Sequence, residues 1–184
     1  MIRILQLLLA FCLISQSVHS AKNGKSGSSK FPKPVIEKIE GWTIEFDPAL
    51  KEPEQRELLE NVKKAMANHL QRIIYILPPE KTEALRKLII RVDLEHKLTS
   101  MQYHPSKKWL TANGHDPSLE KRVHVPRARS LLARSTWAKH PYVILHELAH
   151  AYHDQVLSFD HPEVLKAYNR SEKEGLYERV LLFR

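Results

Sequence analysis

The chain has 184 residues, of which 42% are hydrophobic and 27% charged, a composition typical of one globular domain. Its single cysteine excludes an intramolecular disulfide framework. The formal net charge of +8 would attract anionic surfaces, but no Arg-rich helix or aromatic-spaced motif favours a specific nucleic-acid partner. An anionic cell-envelope surface is therefore a candidate partner, and a solvated basic surface without a partner is the alternative.

The first 20 residues have the pattern of a secretory signal peptide. The positive residue Arg3 precedes an apolar run at 4–14, and small residues follow up to Ser20. This run is shorter than the about 20 apolar residues of a bilayer span, and an uncleaved anchor is the alternative. We therefore expect a secreted or periplasmic protein with a flexible leader at 21–34 and a folded domain at 35–184.

Three segments have the composition of β-strands. Residues 42–46 alternate with a period of two, and residues 122–125 form a short β-prone run. The apolar run 88–92 is either a strand or the continuation of a short helix, because periodicity cannot separate the two over so few residues. Pro126 suits a strand end or a sheet edge, so we expect an edge strand near Val123.

Helical periodicity is strongest in two segments. Apolar residues three or four apart predict a helix at 53–77 that covers the sheet, and the segment 141–157 predicts a second, buried helix. Shorter helical turns are expected at 128–134 and 163–168, and Asn113-Gly114 is a strong hairpin signal. Together these elements predict an α+β fold with a small mixed sheet.

The helix predicted at 141–157 carries the HExxH motif His146-Glu147-Leu148-Ala149-His150, so we expect both histidines and the glutamate to be buried. Histidines four apart project from one face of a helix, so both imidazoles can reach one zinc ion at about 2.0–2.1 Å. Glu147 can lie beside the open coordination position and act as the general base on a zinc-activated water. We therefore predict that His146 and His150 are metal ligands, that Glu147 is catalytic and that zinc is the cofactor. A chance motif in a small structural domain is the alternative.

A catalytic zinc site needs a third protein ligand, which this motif does not contain. The metzincin pattern is excluded, because His153 stands at its glycine position and Val156 at its histidine position. Asp154 is either a plain polar residue at the helix end or the partner of a ligand histidine or a neighbouring cation, and His153 is predicted to be structural. The candidate third ligands are Glu163, Glu172, Glu174 and Glu178.

The stretch from His140 to Asp154 resembles the active-site helix of zincin metallopeptidases whose third ligand is a glutamate. Within that group it is similar to secreted bacterial proteins related to the peptidase domain of anthrax lethal factor, and the segments 122–126 and 175–180 resemble its flanking regions. The resemblance implies a zincin-like domain whose edge strand pairs with an extended substrate. It also implies that the third glutamate and a transition-state tyrosine lie beyond Arg184, so we expect a C-terminally truncated domain. The alternative is that a closer residue, such as Glu174 or Glu178, completes the site in a variant geometry.

The sequence therefore predicts a secreted zinc metallopeptidase that hydrolyses peptide bonds in a peptide or protein substrate. Tyr103, His104 and the strand Val123–Val125 are candidate elements on the substrate side. The alternative is a secreted, non-catalytic module that binds zinc or anionic envelope material, because no third ligand is identified. The sequence predicts no oligomeric state.

Overall fold

A computed structural model describes residues 30–176 of the chain. The predicted signal peptide, most of the leader and Glu178 lie outside the described residues. Within them, five strands form one sheet. The strands are β1 Val35–Ile39, β2 Trp42–Phe46, β3 Ile89–Val92, β4 Gln102–Tyr103 and β5 Arg122–Val125.

The sheet is mixed, with the order β1-β2-β3-β5-β4. The two central pairs, β2 with β3 and β3 with β5, are parallel, and the two outer pairs are antiparallel. The predicted strands at 42–46 and 122–125 are confirmed, and the ambiguous run 88–92 is a strand that follows a separate short helix. The predicted α+β fold with a small mixed sheet is therefore confirmed.

Strand β1 was not predicted, although its turn has a recognisable sequence. Glu40 and Gly41 connect β1 to β2 and both have positive φ, at 49° and 90°. Two successive residues with positive φ form the tight turn that matches the twist of a hairpin. A Cβ atom at Gly41 would lie 2.6 Å from Nε of Arg86, so close packing as well as backbone conformation favours glycine here.

Six α-helices accompany the sheet in the described part of the chain. They are α1 Arg56–Ile76, α2 Pro79–Arg86, α3 Lys107–Ala112, α4 Arg134–Lys139, α5 Val143–Tyr152 and α6 Pro162–Lys173. Single 3-10 turns lie at 48–51, 53–55, 117–119 and 128–132. The helix predicted at 53–77 is confirmed as α1 with the 3-10 turn before it. Between residues 30 and 176, no helix has the length and apolarity needed to cross a bilayer.

The hairpin expected at Asn113-Gly114 is wrong, because these residues end helix α3. The Asn113 amide donates to the carbonyl of Trp109, and Gly114 has a φ of 71°. A glycine with positive φ just after the last helical turn is a common helix C-terminus, which uses the same residue types as a hairpin turn. The dipeptide therefore indicated a chain reversal but not its kind.

The two faces of the sheet have opposite chemistry. Ile44, Ile90 and Val123 occupy one register row, are 0% exposed and belong to the main hydrophobic core with α1 and α5. The adjacent row on the other face holds Glu45, Arg91 and His124. Side chains alternate across a strand, so one face of the sheet packs an apolar core and the other must pair buried ionisable groups.

The expectation of an edge strand near Val123 is wrong. β5 pairs with β3 on one side and with β4 on the other, so its backbone donors are used on both sides. The edge on this side of the sheet is β4, where Tyr103 lies opposite Val123. Pro126 marks the end of β5, which is the other position where proline is tolerated.

The buried helix expected at 141–157 is confirmed only in part. Helix α5 begins at Val143, two residues after Pro141, and continues as a π-helical turn from His153 to Leu157. Its buried residues are Ile144, Glu147, Leu148 and Ala151. The histidine face of the motif is exposed in the described structure, which corrects the expectation that both imidazoles are buried.

We expect Leu70→Ala to lower the free energy of unfolding by about 2–5 kcal/mol, because Leu70 is 0% exposed in the core face of α1. Tyr75→Ala on the same helix is the matched control, since Tyr75 is 91% exposed and its loss should cost less than about 0.5 kcal/mol. Urea unfolding measures both values. Similar losses for the two variants would mean that the face assigned to α1 is wrong.

Candidate metal and active site

The two histidines of the HExxH motif bring their Nε2 atoms together. His146 Nε2 and His150 Nε2 are 3.1 Å apart, and the planes of the two rings cross at 81°. Two nitrogens that bind one zinc ion tetrahedrally at 2.0–2.1 Å are about 3.3 Å apart. The observed separation is that of a hydrogen bond between the two rings, and it is also close to the spacing that a shared metal ion requires. Both side chains are exposed, so this position is accessible.

Glu147 points away from the solvent and towards the sheet. It is 8% exposed, and its Oε2 accepts a hydrogen bond of 3.0 Å from the backbone amide of Tyr103 in β4. Burial raises the pKa of Glu147, and the charges of His146 and His150 and the Tyr103 amide oppose that rise. A carboxylate with a raised pKa is a stronger base than an exposed glutamate.

Tyr103 also connects the edge strand to the end of helix α5 through its side chain. Its hydroxyl donates to Asp154 Oδ2 at 2.5 Å, and Lys121 Nζ lies 2.5 Å from the same oxygen. Burial raises the pKa of Tyr103, and the bonded Asp154 carboxylate raises it further. Burial also raises the pKa of Asp154, but the bonds from Lys121 and Tyr103 outweigh it and hold this pKa below its ordinary value.

The contacts of Asp154 favour one of the interpretations that the sequence leaves open. Asp154 lies in the π-helical turn at the end of α5 and holds the neighbouring cation Lys121 rather than a ligand histidine. π-helical turns often accompany functional sites because they redirect a side chain that a regular helix would point elsewhere. Here Asp154 and Tyr103 brace β4 against α5, and the same strand holds Glu147.

A cavity of about 560 Å³ opens beside the motif. This volume lies in the range of small-ligand pockets. His146 and Glu147 form part of its wall, together with Met101 just before β4. The other lining residues are Thr99, Ser100, Ser130, Thr136, His140, Pro141, Tyr142 and Val143. Most of these side chains are uncharged, so the cavity suits an uncharged group.

No third ligand completes the histidine pair within residues 30–176, where no group of three or more His, Cys, Asp or Glu side chains is placed to hold a metal ion. Two of the candidate glutamates are engaged within α6 itself. Glu172 accepts from the hydroxyl of Tyr168, and Glu174 pairs with Arg170. The histidines therefore fit half of a zinc site, and Glu178 lies outside the described residues.

The structure separates the three elements expected on the substrate side. Tyr103 lies at the site and its amide holds Glu147, a backbone role that side-chain chemistry does not indicate. His104 is 3% exposed and bonds His124 on the opposite face of the sheet. Strand Val123–Val125 lies inside the sheet, between β3 and β4. The alternation of side chains along β4 explains why two adjacent residues belong to different faces.

Comparison with family models, curated proteins and solved structures finds no match to this chain.

We expect Tyr103→Phe to lower the free energy of unfolding by about 1–3 kcal/mol, because the change removes a hydrogen bond to an ionised and largely buried Asp154. Tyr168→Phe is the matched control, since it removes a tyrosine–glutamate bond of 2.8 Å on the exposed helix α6 and should have little measurable effect. Urea unfolding compares the two. Equal effects would contradict the bracing role of Tyr103.

Proposed function

We propose that the chain is a secreted zinc metallopeptidase that hydrolyses peptide bonds. The observation that carries the proposal is the separation of 3.1 Å between the Nε2 atoms of His146 and His150 on one exposed helix face. Secretion is proposed on the signal-peptide pattern of the first 20 residues.

In this function His146 and His150 hold the zinc ion. Bound zinc would lower the pKa of a water molecule and polarise the scissile carbonyl. Glu147 follows His146 in the chain and lines the same cavity, which supports its carboxylate as the group that would accept a proton from the attacking water and deliver it to the leaving amine. The resemblance to the zincins supports the same roles for the same three residues.

The edge strand β4 supports an extended peptide as the substrate. On one side β4 pairs with β5, and on the other side the Tyr103 amide bonds Glu147. An extended peptide that adds to this edge would use outward backbone groups of β4 and would lie directly beside the motif. The cavity between Met101 and Val143 then suits an uncharged side chain of that peptide.

A second candidate function is zinc binding without hydrolysis. It is favoured by one observation, that residues 30–176 place no third ligand beside the histidine pair. Two imidazoles with solvent as the remaining ligands bind zinc more weakly than a three-ligand site. This candidate uses the same metal ligands as the peptidase, but it needs no general base and therefore gives Glu147 no role.

We expect the purified full chain to bind zinc and His150→Ala to weaken this binding by more than the 10–100-fold typical of changes outside the ligand shell. His153→Ala is the matched control, because this histidine follows the pair, makes an edge-to-face contact with Phe159 and is predicted to be structural. Equilibrium dialysis with zinc alone gives both affinities. Equal losses in the two variants, or no zinc binding by the unaltered chain, would contradict the assigned ligands.

We expect Glu147→Gln to keep zinc affinity and to lower peptide hydrolysis by about 10²–10⁴-fold, because an amide cannot accept the proton. Glutamine retains the acceptor for the Tyr103 amide, so the local fold is preserved. Glu174→Gln on α6 is the control and should hydrolyse peptides normally. Turnover of a quenched fluorescent peptide library is the measurement. Retained turnover would refute the role of Glu147, and a zinc-loaded chain without any turnover would support the second candidate.

A further inference from the structure

Four histidines lie together on the polar face of the sheet, away from the candidate site. His104 Nε2 and His124 Nδ1 are 3.0 Å apart, and the ring centroids of His96 lie 4.9 Å from His124 and 5.2 Å from His115. His124 is fully buried, His104 is 3% exposed and His115 is 9% exposed. We call these four residues the histidine cluster.

The charged groups that face the histidine cluster are already balanced. His124 Nε2 lies 3.0 Å from Asp93 Oδ2, and Arg91 Nε donates to the other oxygen of Asp93 at 2.6 Å. Burial raises the pKa of Asp93, but His124 and Arg91 outweigh it and keep this carboxylate ionised. Arg91 and Asp93 therefore cancel, and protons added to the histidines would introduce uncompensated positive charge.

Two further carboxylates near this face, Glu45 and Glu95, already have cationic partners. Glu45 pairs with Arg122, and Glu95 pairs with Arg127. Positive charges that are buried within about 5 Å of one another, without a free counter-ion, repel strongly. Protonation of His104 and His96 would therefore destabilise this arrangement.

The histidine cluster joins the sheet to the segment 94–121, which we call the cover segment. Three of its members, His96, His104 and His115, belong to the cover segment, whereas His124 belongs to β5. The other attachments include the two-residue pairing of β4 with β5, the bonds of Tyr103 to Glu147 and Asp154, and the Lys121–Asp154 ion pair. Further bonds run from the Leu94 amide to Asp47, from Gln155 to the Lys121 carbonyl, from Arg122 to the Glu120 carbonyl and between Glu95 and Arg127. Leu94, Met101 and Tyr103 also pack against the hydrophobic core.

We propose that the histidine cluster is an acid-sensitive latch that holds the cover segment closed near pH 7.5 and releases it near pH 5. Release would detach the edge strand β4, and with it the amide that holds Glu147. The latch itself does not rest on the proposed peptidase activity; only its effect on the candidate site does.

The direction of the proton linkage supports an acid-driven release. Burial and the neighbouring histidines lower the pKa of His104 to about 4, and burial likewise lowers the pKa of His96. An exposed histidine titrates near 6.5, so the open segment binds more protons than the closed one between pH 6.5 and 4. Closure is therefore fully favoured above pH 6.5 and weakens as the pH falls. Protonation of His104 alone raises the equilibrium constant for opening of the cover segment about 30-fold between pH 7.5 and pH 5.

Hydrogen–deuterium exchange of the full chain tests the latch, with protection factors corrected for the intrinsic pH dependence of exchange. We expect the protection of peptides within 95–121 to fall at least about 30-fold from pH 7.5 to pH 5. Helix α1 should remain more strongly protected than the cover segment at pH 5, because release is local. Unchanged protection of 95–121, or identical protection of α1 and the cover segment at pH 5, would overturn the proposal.

Two single variants distinguish acid-driven release of the cover segment from acid unfolding of the whole domain. In His104→Gln the side-chain amide can still bond His124 but cannot take up a proton. The ratio of cover-segment protection at pH 7.5 to that at pH 5 should therefore be about 30-fold smaller than in the unaltered chain. In the control His69→Gln the lost histidine also has a pKa lowered to about 4 by burial, but it stacks on Trp137 in the helical layer. This control should leave the ratio for 95–121 unchanged. An unchanged ratio in His104→Gln, or an equally reduced ratio in His69→Gln, would refute the latch.

Discussion

The alternation of side chains along four paired strands is the constraint on which the rest of this structure depends. Because β2, β3, β5 and β4 are in register, a row that starts at Ile44 continues through apolar residues, and the next row starts at Glu45 and continues through Arg91 and His124. The apolar row is covered by α1 and α5. The ionisable row can be buried only if its members pair, and the bonds from Glu45 to Arg122 and along Arg91, Asp93, His124 and His104 supply that pairing.

The short edge strand β4 connects the two faces. Tyr103 continues the apolar row and reaches the end of helix α5, whereas the next residue, His104, lies just after β4 and bonds His124 on the ionisable face. A displacement of two residues would therefore disturb both the support of Glu147 and the histidine cluster. This placement makes β4 the physical link by which a change of charge on one face could reach the candidate site on the other.

The sequence was informative where one local pattern determined the outcome. The apolar stripe of α1 and the β-prone runs of β2 and β5 each depend on residues close in the chain, and the structure bears out these elements. The position of the sheet edge could not be predicted, because it depends on where the distant two-residue strand β4 pairs. The histidine cluster was missed for the same reason. Its members come from four places between residues 96 and 124, and only the register of the strands and the path of the cover segment bring them together.

The expectation of buried motif histidines failed for a different reason. Apolar residues surround much of the 141–157 segment, but Ala149 and Val156 are exposed in the described structure, so hydrophobic composition overstated burial. What is buried is Glu147, and its partner is a backbone amide that no side-chain pattern can indicate.

The hydrogen bond from Tyr103 to Glu147 also constrains how a substrate could be accepted under the proposed function. The outward amide of an edge strand is a group to which an added strand can bond, and here the candidate base occupies it. An extended peptide that took this amide would free the Glu147 carboxylate at the moment the scissile bond arrived. Peptide binding and release of Glu147 would then be thermodynamically linked, because the peptide and Glu147 compete for the same Tyr103 amide. While no peptide is bound, the Tyr103 amide satisfies the buried Glu147 carboxylate, and a peptide that took this amide would remove that donor.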